Sequence, residues 1–301
     1  IESNTISVSS GMVAEGINIV GSGNGNVRGN KVDVIANRTV YGMNTTVIYQ
    51  LNIIFVFNII YGEAIFAVGI NDDSETIDNN KVTLKAVQAI GVIVNSENAK
   101  ITNNEIKLVS ADPSQQDHGI ESSATGVQVN AKSTISYNEI DSFDKSISVD
   151  GGCATTISNN NMNAPITVST EGTSILGNDI STDKDKAIVL LDSASNTNVD
   201  SNVLAANGAK GNDAVSDEGT GNTISNNKAK PELNIEAISD IFEGQSVVIV
   251  IKAENNFTGT VNVQVGTFNT TTSVVNGRGK ADVAADKLAV GDVVVKVIFA
   301  G

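Results

Sequence analysis

Hydrophobic positions recur along this chain in a six-residue frame, apolar-x-x-Asn-x-apolar, with the Asn at Asn4, Asn30, Asn58, Asn80, Asn104, Asn138, Asn160, Asn178, Asn202 and Asn227. Clear copies are Ile77-Asp78-Asn79-Asn80-Lys81-Val82, Ile101-Thr102-Asn103-Asn104-Glu105-Ile106 and Ile157-Ser158-Asn159-Asn160-Asn161-Met162. The last copy is degenerate, since Lys228 and Ala229 follow Asn227. From Asn4 to Asn227 there are 223 residues in nine steps of 18 to 34, a mean of about 25. A period in that range marks a solenoid in which each step is one coil.

Most coils carry a second short run with alternate residues apolar: Gly16-Ile17-Asn18-Ile19, Gly91-Val92-Ile93-Val94, Gly126-Val127-Gln128-Val129, Ser146-Ile147-Ser148-Val149, Pro165-Ile166-Thr167-Val168 and Ala187-Ile188-Val189-Leu190. Period two over three or four residues predicts very short strands. One such strand cannot bury its apolar face, but the same strand from successive coils, stacked ~4.8 Å apart, makes a parallel sheet around a closed interior. Residues 1–230 therefore read as a parallel β-helix of about ten coils. The Asn fits the bend between two strands because Asn tolerates left-handed backbone angles. Stacked from coil to coil, its amide can donate to one neighbour and accept from the other.

The texture changes at Pro231. Residues 231–301 lose the Asn frame and show longer runs: Leu233 to Ile238, Ser246 to Lys252, Thr260 to Val265, Ser273 to Val275, Lys280 to Val283 and Asp292 to Phe299. Glu243-Gly244, Asn255-Asn256, Asn276-Gly277 and Val290-Gly291 supply turn signals between them. This spacing predicts an immunoglobulin-like β-sandwich, here with no Cys for an inter-sheet disulfide. The whole chain reads as all-β.

These residues carry a resemblance. Residues 1–230 resemble the right-handed parallel β-helix, or pectin-lyase-like, family, through repeats such as Ala99-Lys100-Ile101-Thr102-Asn103-Asn104-Glu105-Ile106. Joined to Pro231-Glu232-Leu233-Asn234-Ile235, Phe242-Glu243-Gly244-Gln245-Ser246-Val247 and Thr258-Gly259-Thr260-Val261-Asn262-Val263, the chain is similar to adhesin-like surface proteins of methanogenic archaea. The resemblance implies an extracellular, cell-surface protein whose partners are surface glycans, proteins of partner cells, cell wall or further immunoglobulin-like repeats of a parent chain.

Ile1 is not an initiator Met and its coil is already in register, so the chain reads as a fragment or processed form. The most apolar stretch, Val47 to Ile70, is interrupted by Gln50, Asn52, Asn58, Gly62 and Glu63 and fits the coil repeat rather than a membrane span. Lone Cys153 can form neither an internal disulfide nor a zinc site. Sequons stand at Asn37, Asn44, Asn256 and Asn269.

Charge narrows the partners. The segment 231–301 has eight acids against five bases, a net of −3 that leaves −12 of the chain's −15 on the solenoid. Nucleic acid and anionic membranes are repelled by such a surface. Many β-helical lyases handle acidic polysaccharides through bound Ca²⁺ and an Arg base, but Arg28, Arg38 and Arg278 are the only Arg here and Arg278 lies in the C-terminal segment. Hydrolysis needs two carboxylates facing a cleft. The longest step, Asn104 to Asn138, should extrude a loop holding Asp112, Asp117, His118 and Glu121, and later coils offer Asp141, Asp144, Asp183 and Asp185. Lys145, Lys184 and Lys186 interleave these acids, as in ordinary solvated loops. A Ca²⁺ site needs six to eight oxygens. Neither Asp72, Asp73 and Glu75 nor Asp213, Asp217 and Glu218 matches a known loop pattern, so no metal or cofactor is assigned.

Two readings follow. One is a non-catalytic adhesin-like protein presenting a stiff β-helical surface to glycans or cells. The other is a carbohydrate-active enzyme, a polysaccharide hydrolase or lyase, with Asp112, Asp117, His118, Glu121, Asp144 and Asp183 as its catalytic candidates. Scarce aromatics disfavour the enzyme: there is no Trp, and Tyr41, Tyr49, Tyr61 and Tyr137 are the only Tyr.

Overall fold

The computed structural model describes the chain except residues 74, 110–122, 152–153, 232, 237, 239–241, 255–256 and 300–301, and except the side chains of 21–24, 46–54 and 72. It divides into two compact units, Ile1–Ala229 and Lys230–Gly301. Asp112, Asp117, His118, Glu121, Cys153 and the Asn255-Asn256 turn lie outside the described residues.

The first unit is a β-solenoid of about eight turns built from parallel strands. That is fewer than the ten coils expected from the ten Asn. Register follows the sequence frame. The apolar residue three before each Asn stacks on its counterpart, as in Ile77 on Ile101, Ile101 on Ile135, Ile135 on Ile157 and Ile157 on Ile175. The residue two after the Asn does the same: Val82 on Ile106, Ile106 on Ile140 and Ile140 on Met162. A third column comes from the second run, with Val92, Val127, Ile147, Ile166 and Ile188 in sequence. All three columns point inward into one buried cluster. The very short strands expected from the sequence appear at Thr76–Asp78 and, within this unit, from Ala99 onward, too short to hold without the rungs above and below. Val13–Arg28, Thr39–Val56, Ile59–Asp72 and Lys81–Val94 instead run on as single strands of 14 to 18 residues.

One glycine column sets how closely coils approach. A Cβ on Gly91 would lie 2.4 Å from the Gly126 carbonyl oxygen and 2.4 Å from Ile106 Cγ2, and one on Gly126 would meet the Ser146 oxygen at 2.6 Å. Backbone sits where a side chain would stand. The apolar stretch Val47 to Ile70 runs through the strands Thr39–Val56 and Ile59–Asp72. Among the described residues no helix is long and apolar enough to cross a membrane.

The second unit is a six-stranded antiparallel sheet whose order in space places Leu233–Ile235, Val247–Ala253, Arg278–Val283, Phe268–Val275, Gly259–Val265 and Val295–Phe299 side by side. Its two halves join through only two residue pairs, Val274 with Gly279 and Val275 with Arg278. Inward residues of both halves, among them Ile249, Ile251, Val261, Val263 and Val283, form one core. The strand expected at Ser273 to Val275 begins at Phe268, because polar Asn269 to Ser273 alternate on the exposed face. Asn276 and Gly277 both take positive φ, 50° and 76°, which is the chemistry of a tight hairpin turn.

Candidate functional site

The ten Asn form a continuous column of amides. Asn104 shows the unit: its Oδ1 accepts the Asn80 backbone N–H at 2.8 Å and Asn80 Nδ2 at 3.0 Å. Its own Nδ2 donates to Asn138 Oδ1 and to the Ile77 carbonyl, each at 2.9 Å. The pattern runs through Asn4, Asn30, Asn58, Asn80, Asn138, Asn160, Asn178, Asn202 and Asn227. Asn30 to Asn202 are almost completely buried, and a buried amide survives there because its donors and acceptors are paired. At the C-terminal end Asn227 donates to Asn212 Oδ1 at 2.8 Å, so Asn212, in the 3₁₀ turn Gly211–Ala214, stands where a further coil's Asn would stand.

The backbone reason differs from the sequence expectation. None of the ten ladder Asn has positive φ; the residue before each does, with Ser3, Gly29, Phe57, Asn79, Asn103, Tyr137, Asn159, Gly177, Ser201 and Asn226 at φ 53° to 64°. The left-handed residue makes the corner and turns the next side chain inward, and the Asn is selected for its hydrogen bonds. Eight of those ten are Ser, Gly or Asn, small residues with little cost in this region. Phe57 and Tyr137 are bulky, and they are exposed at 54% and 63%.

Around these two rings lies a polar ridge. The Arg28 guanidinium stands 5.5 Å from the Phe57 ring centroid. Phe57, Ile59, Asn79, Lys81, Asn103 and Glu105 line a shallow cavity of about 270 Å³. Asp78 gathers donors from two coils: Thr102 Oγ1 at 2.6 Å, Asn103 Nδ2 at 2.8 Å and Asn79 Nδ2 at 2.6 Å. Burial raises the Asp78 pKa, but the three hydrogen bonds outweigh it and hold the carboxyl below its ordinary value. Asp200 repeats the motif with Ser225, Ser201 and Asn226, which lower its pKa in the same way.

A second chain of amides, which the sequence frame did not reveal, links Asn44 and Asn71 inside their strands to Asn95 and Asn130 just past the ends of theirs. Asn71 Nδ2 donates to Asn44 Oδ1 at 2.8 Å, Asn95 to Asn71 at 3.2 Å and Asn130 to Asn95 at 2.8 Å. Unlike the buried ladder it reaches solvent, with Asn95 and Asn130 exposed. Half of its signal was present: Asn95 and Asn130 directly follow the apolar residue that ends a second run, in Val94-Asn95 and Val129-Asn130, whereas Asn44 and Asn71 fall inside the run.

The acidic candidates among the described residues serve the scaffold or solvent. Asp144 Oδ2 accepts the Ala124 N–H at 2.9 Å while its own N–H donates to the Ala124 carbonyl at 3.0 Å. Asp141 pairs with Lys107 at 3.1 Å and accepts Asn163 Nδ2. Asp183 and Asp185 are exposed, and the shallow cavity of about 380 Å³ beside Asp183 is lined by Ser142, Phe143, Asn163, Ser181 and Lys184, with no second carboxylate. Asp217 Oδ1 accepts Gly219 N–H and Asn222 Nδ2, and the Asp213 carbonyl accepts Lys186 Nζ. Among the described residues no group of His, Cys, Asp and Glu is placed to hold a metal ion. A larger cavity, about 740 Å³, lies in the C-terminal unit beside Phe242 and Val290. Residues 239–241 next to it are outside the described residues, so no site is built there.

No family model and no curated protein matches the chain. Among solved structures, it is similar to a double mutant of the tailspike protein of E. coli bacteriophage HK620, at 10% identity over 94% of this chain and 74% of that chain, with a TM-score of 0.19. A second tailspike mutant of the same phage, in complex with pentasaccharide, is 9% identical over 95% and 68%, with a TM-score of 0.17. At such TM-scores neither likeness bears on the site.

Proposed function

We propose that this chain is a non-catalytic, adhesin-like protein of the cell surface. Its solenoid, read as a right-handed pectin-lyase-like β-helix, presents a rigid periodic surface to glycans of a cell wall or partner cell. The C-terminal unit, read as an immunoglobulin-like sandwich, is a spacer between that surface and the rest of a parent chain.

The observation that carries this reading is the solvent-reaching column Asn44, Asn71, Asn95 and Asn130. Its amides are hydrogen-bonded from coil to coil, Asn44 with Asn71 at one register position and Asn95 with Asn130 two residues further along. Fixed donors and acceptors held by one another suit the hydroxyls of a sugar polymer, and pre-organised polar groups lose little entropy on binding. The −12 on the solenoid favours uncharged over polyanionic polymers.

The test is a glycan array read together with assays for released reducing ends and unsaturated products on polygalacturonate, alginate and neutral β-glucans with Ca²⁺ present. Binding without turnover is the expected result. Turnover that Asp117→Asn abolishes, with the fold intact, overturns the reading and makes the protein an enzyme.

A further inference from the structure

We propose that the corner ridge from Phe57 to Tyr137 is a binding site for an uncharged pyranose chain, with the two rings as stacking platforms and Asn79 and Asn103 as hydroxyl acceptors between them. This rests on the glycan-binding reading and places the ligand on a face other than the exposed Asn column.

Strain is the first observation. Phe57 and Tyr137 hold φ of 55° and 60°, a region costly for bulky residues, at corners where Ser, Gly and Asn serve in every other coil. Neither ring recovers that cost by burial, since they are exposed at 54% and 63%. Backbone strain that packing does not repay points to a use for the side chain. Placed three rungs apart, the rings stand ~14 Å from each other along the solenoid.

Hydrogen bonding is the second. The Nδ2 groups of Asn79 and Asn103 are both spent on Asp78. That fixes the two amides, and among the described residues the Oδ1 of each accepts no hydrogen bond. Two oriented acceptors between two apolar faces match a ring that has an apolar face and hydroxyl donors at its edge. Charge is the third. Lys81 is paired with Glu105 at 2.7 Å and Asp78 stays ionised beside the acceptors, while the Arg28 guanidinium covers one face of the Phe57 ring, so the sugar stacks on the opposite face. An anionic sugar gains nothing there.

The experiment is calorimetric titration of the full chain with uncharged hexasaccharides of β-1,4-glucan, β-1,3-glucan and mannan, with hexagalacturonate as the anionic control. At least one uncharged ligand binds, and hexagalacturonate binds at least about tenfold more weakly. Phe57→Asn with Tyr137→Asn places in these corners the residue that Asn159 and Asn226 already supply. It lowers affinity at least about tenfold while the melting temperature holds or rises, whereas Phe57→Tyr and Tyr137→Phe retain binding. If the double Asn variant binds as the parent does, the ridge is not the site, though the glycan-binding reading stands. If the parent binds none of the ligands, both fall. Preference for hexagalacturonate overturns the uncharged class, and a double Asn variant that melts lower makes the rings structural and refutes the proposal.

Discussion

Asn104→Ala removes one member from the middle of the buried ladder. Four hydrogen bonds go with it: two accepted from Asn80 by Oδ1, and two donated by Nδ2 to Asn138 Oδ1 and the Ile77 carbonyl. The losses are unequal. Asn80 Nδ2 keeps the Phe55 and Asp78 carbonyls, and Asn138 Oδ1 keeps the Asn104 backbone N–H, whereas the buried Asn80 N–H loses its acceptor. One orphaned buried donor costs about 1–3 kcal/mol and each of the three weakened bonds about 0.5–1.5 kcal/mol, so roughly 2.5–7.5 kcal/mol is expected in total. Asn4 is the internal control. Its Nδ2 donates to Asn30 and to the Glu2 carbonyl, its Oδ1 accepts no hydrogen bond among the described residues, and it is exposed, so Asn4→Ala should cost under about 1 kcal/mol. Urea unfolding of both variants, with slopes compared to exclude a change in the unfolded state, measures the difference. Equal costs at the two positions would refute the ladder as a buried, mutually satisfied network.

Further outcomes follow from the same geometry. Gly91→Ala should destabilise the solenoid by at least the roughly 1–3 kcal/mol of overpacking, because the Gly126 carbonyl oxygen and the buried Ile106 Cγ2 both stand 2.4 Å from the new Cβ and the carbonyl is backbone; a melting temperature equal to the parent's would contradict it. Asp78 has a folded-state pKa below its ordinary 3.8, so it contributes stability above that value and loses it as pH falls through the depressed one. Asp78→Asn should therefore flatten the acid limb of the stability profile below about pH 4, and an unchanged limb would count against the hydrogen bonds from Thr102, Asn103 and Asn79. Residues 231–301 should fold alone and melt apart from residues 1–230, since each unit has its own core; a single calorimetric transition with the isolated segment unfolded would contradict this.

The solenoid was legible because its stabilising unit repeats. Apolar residues three before and two after each Asn are periodic in sequence and therefore stack in space, as Ile101, Ile135 and Ile157 do. The Asn ladder followed from the same frame. The left-handed corner residue was misplaced by one position, since Asn satisfies two demands that sequence alone cannot separate, unusual backbone angles and amide hydrogen bonds. The corner position itself carries no single residue type, Ser3, Gly29, Phe57 and Asn79 all serving. Asn212 escaped notice because it caps the ladder out of period, 15 residues before its partner Asn227. The acidic candidates were illegible for a different reason: whether two carboxylates meet depends on how loops leave successive rungs. In the structure Asp144 instead ties its loop to Ala124.

The most direct test of the account is hydrogen–deuterium exchange on the full chain with and without a saturating uncharged oligosaccharide. Added protection is expected in the corner segments 56–59, 78–81, 102–105 and 136–139 or around the solvent-reaching amides of Asn71, Asn95 and Asn130, with no product released during the incubation. Protection centred on residues 110–122 with release of reducing ends would contradict it and move the chemistry to Asp112, Asp117, His118 and Glu121.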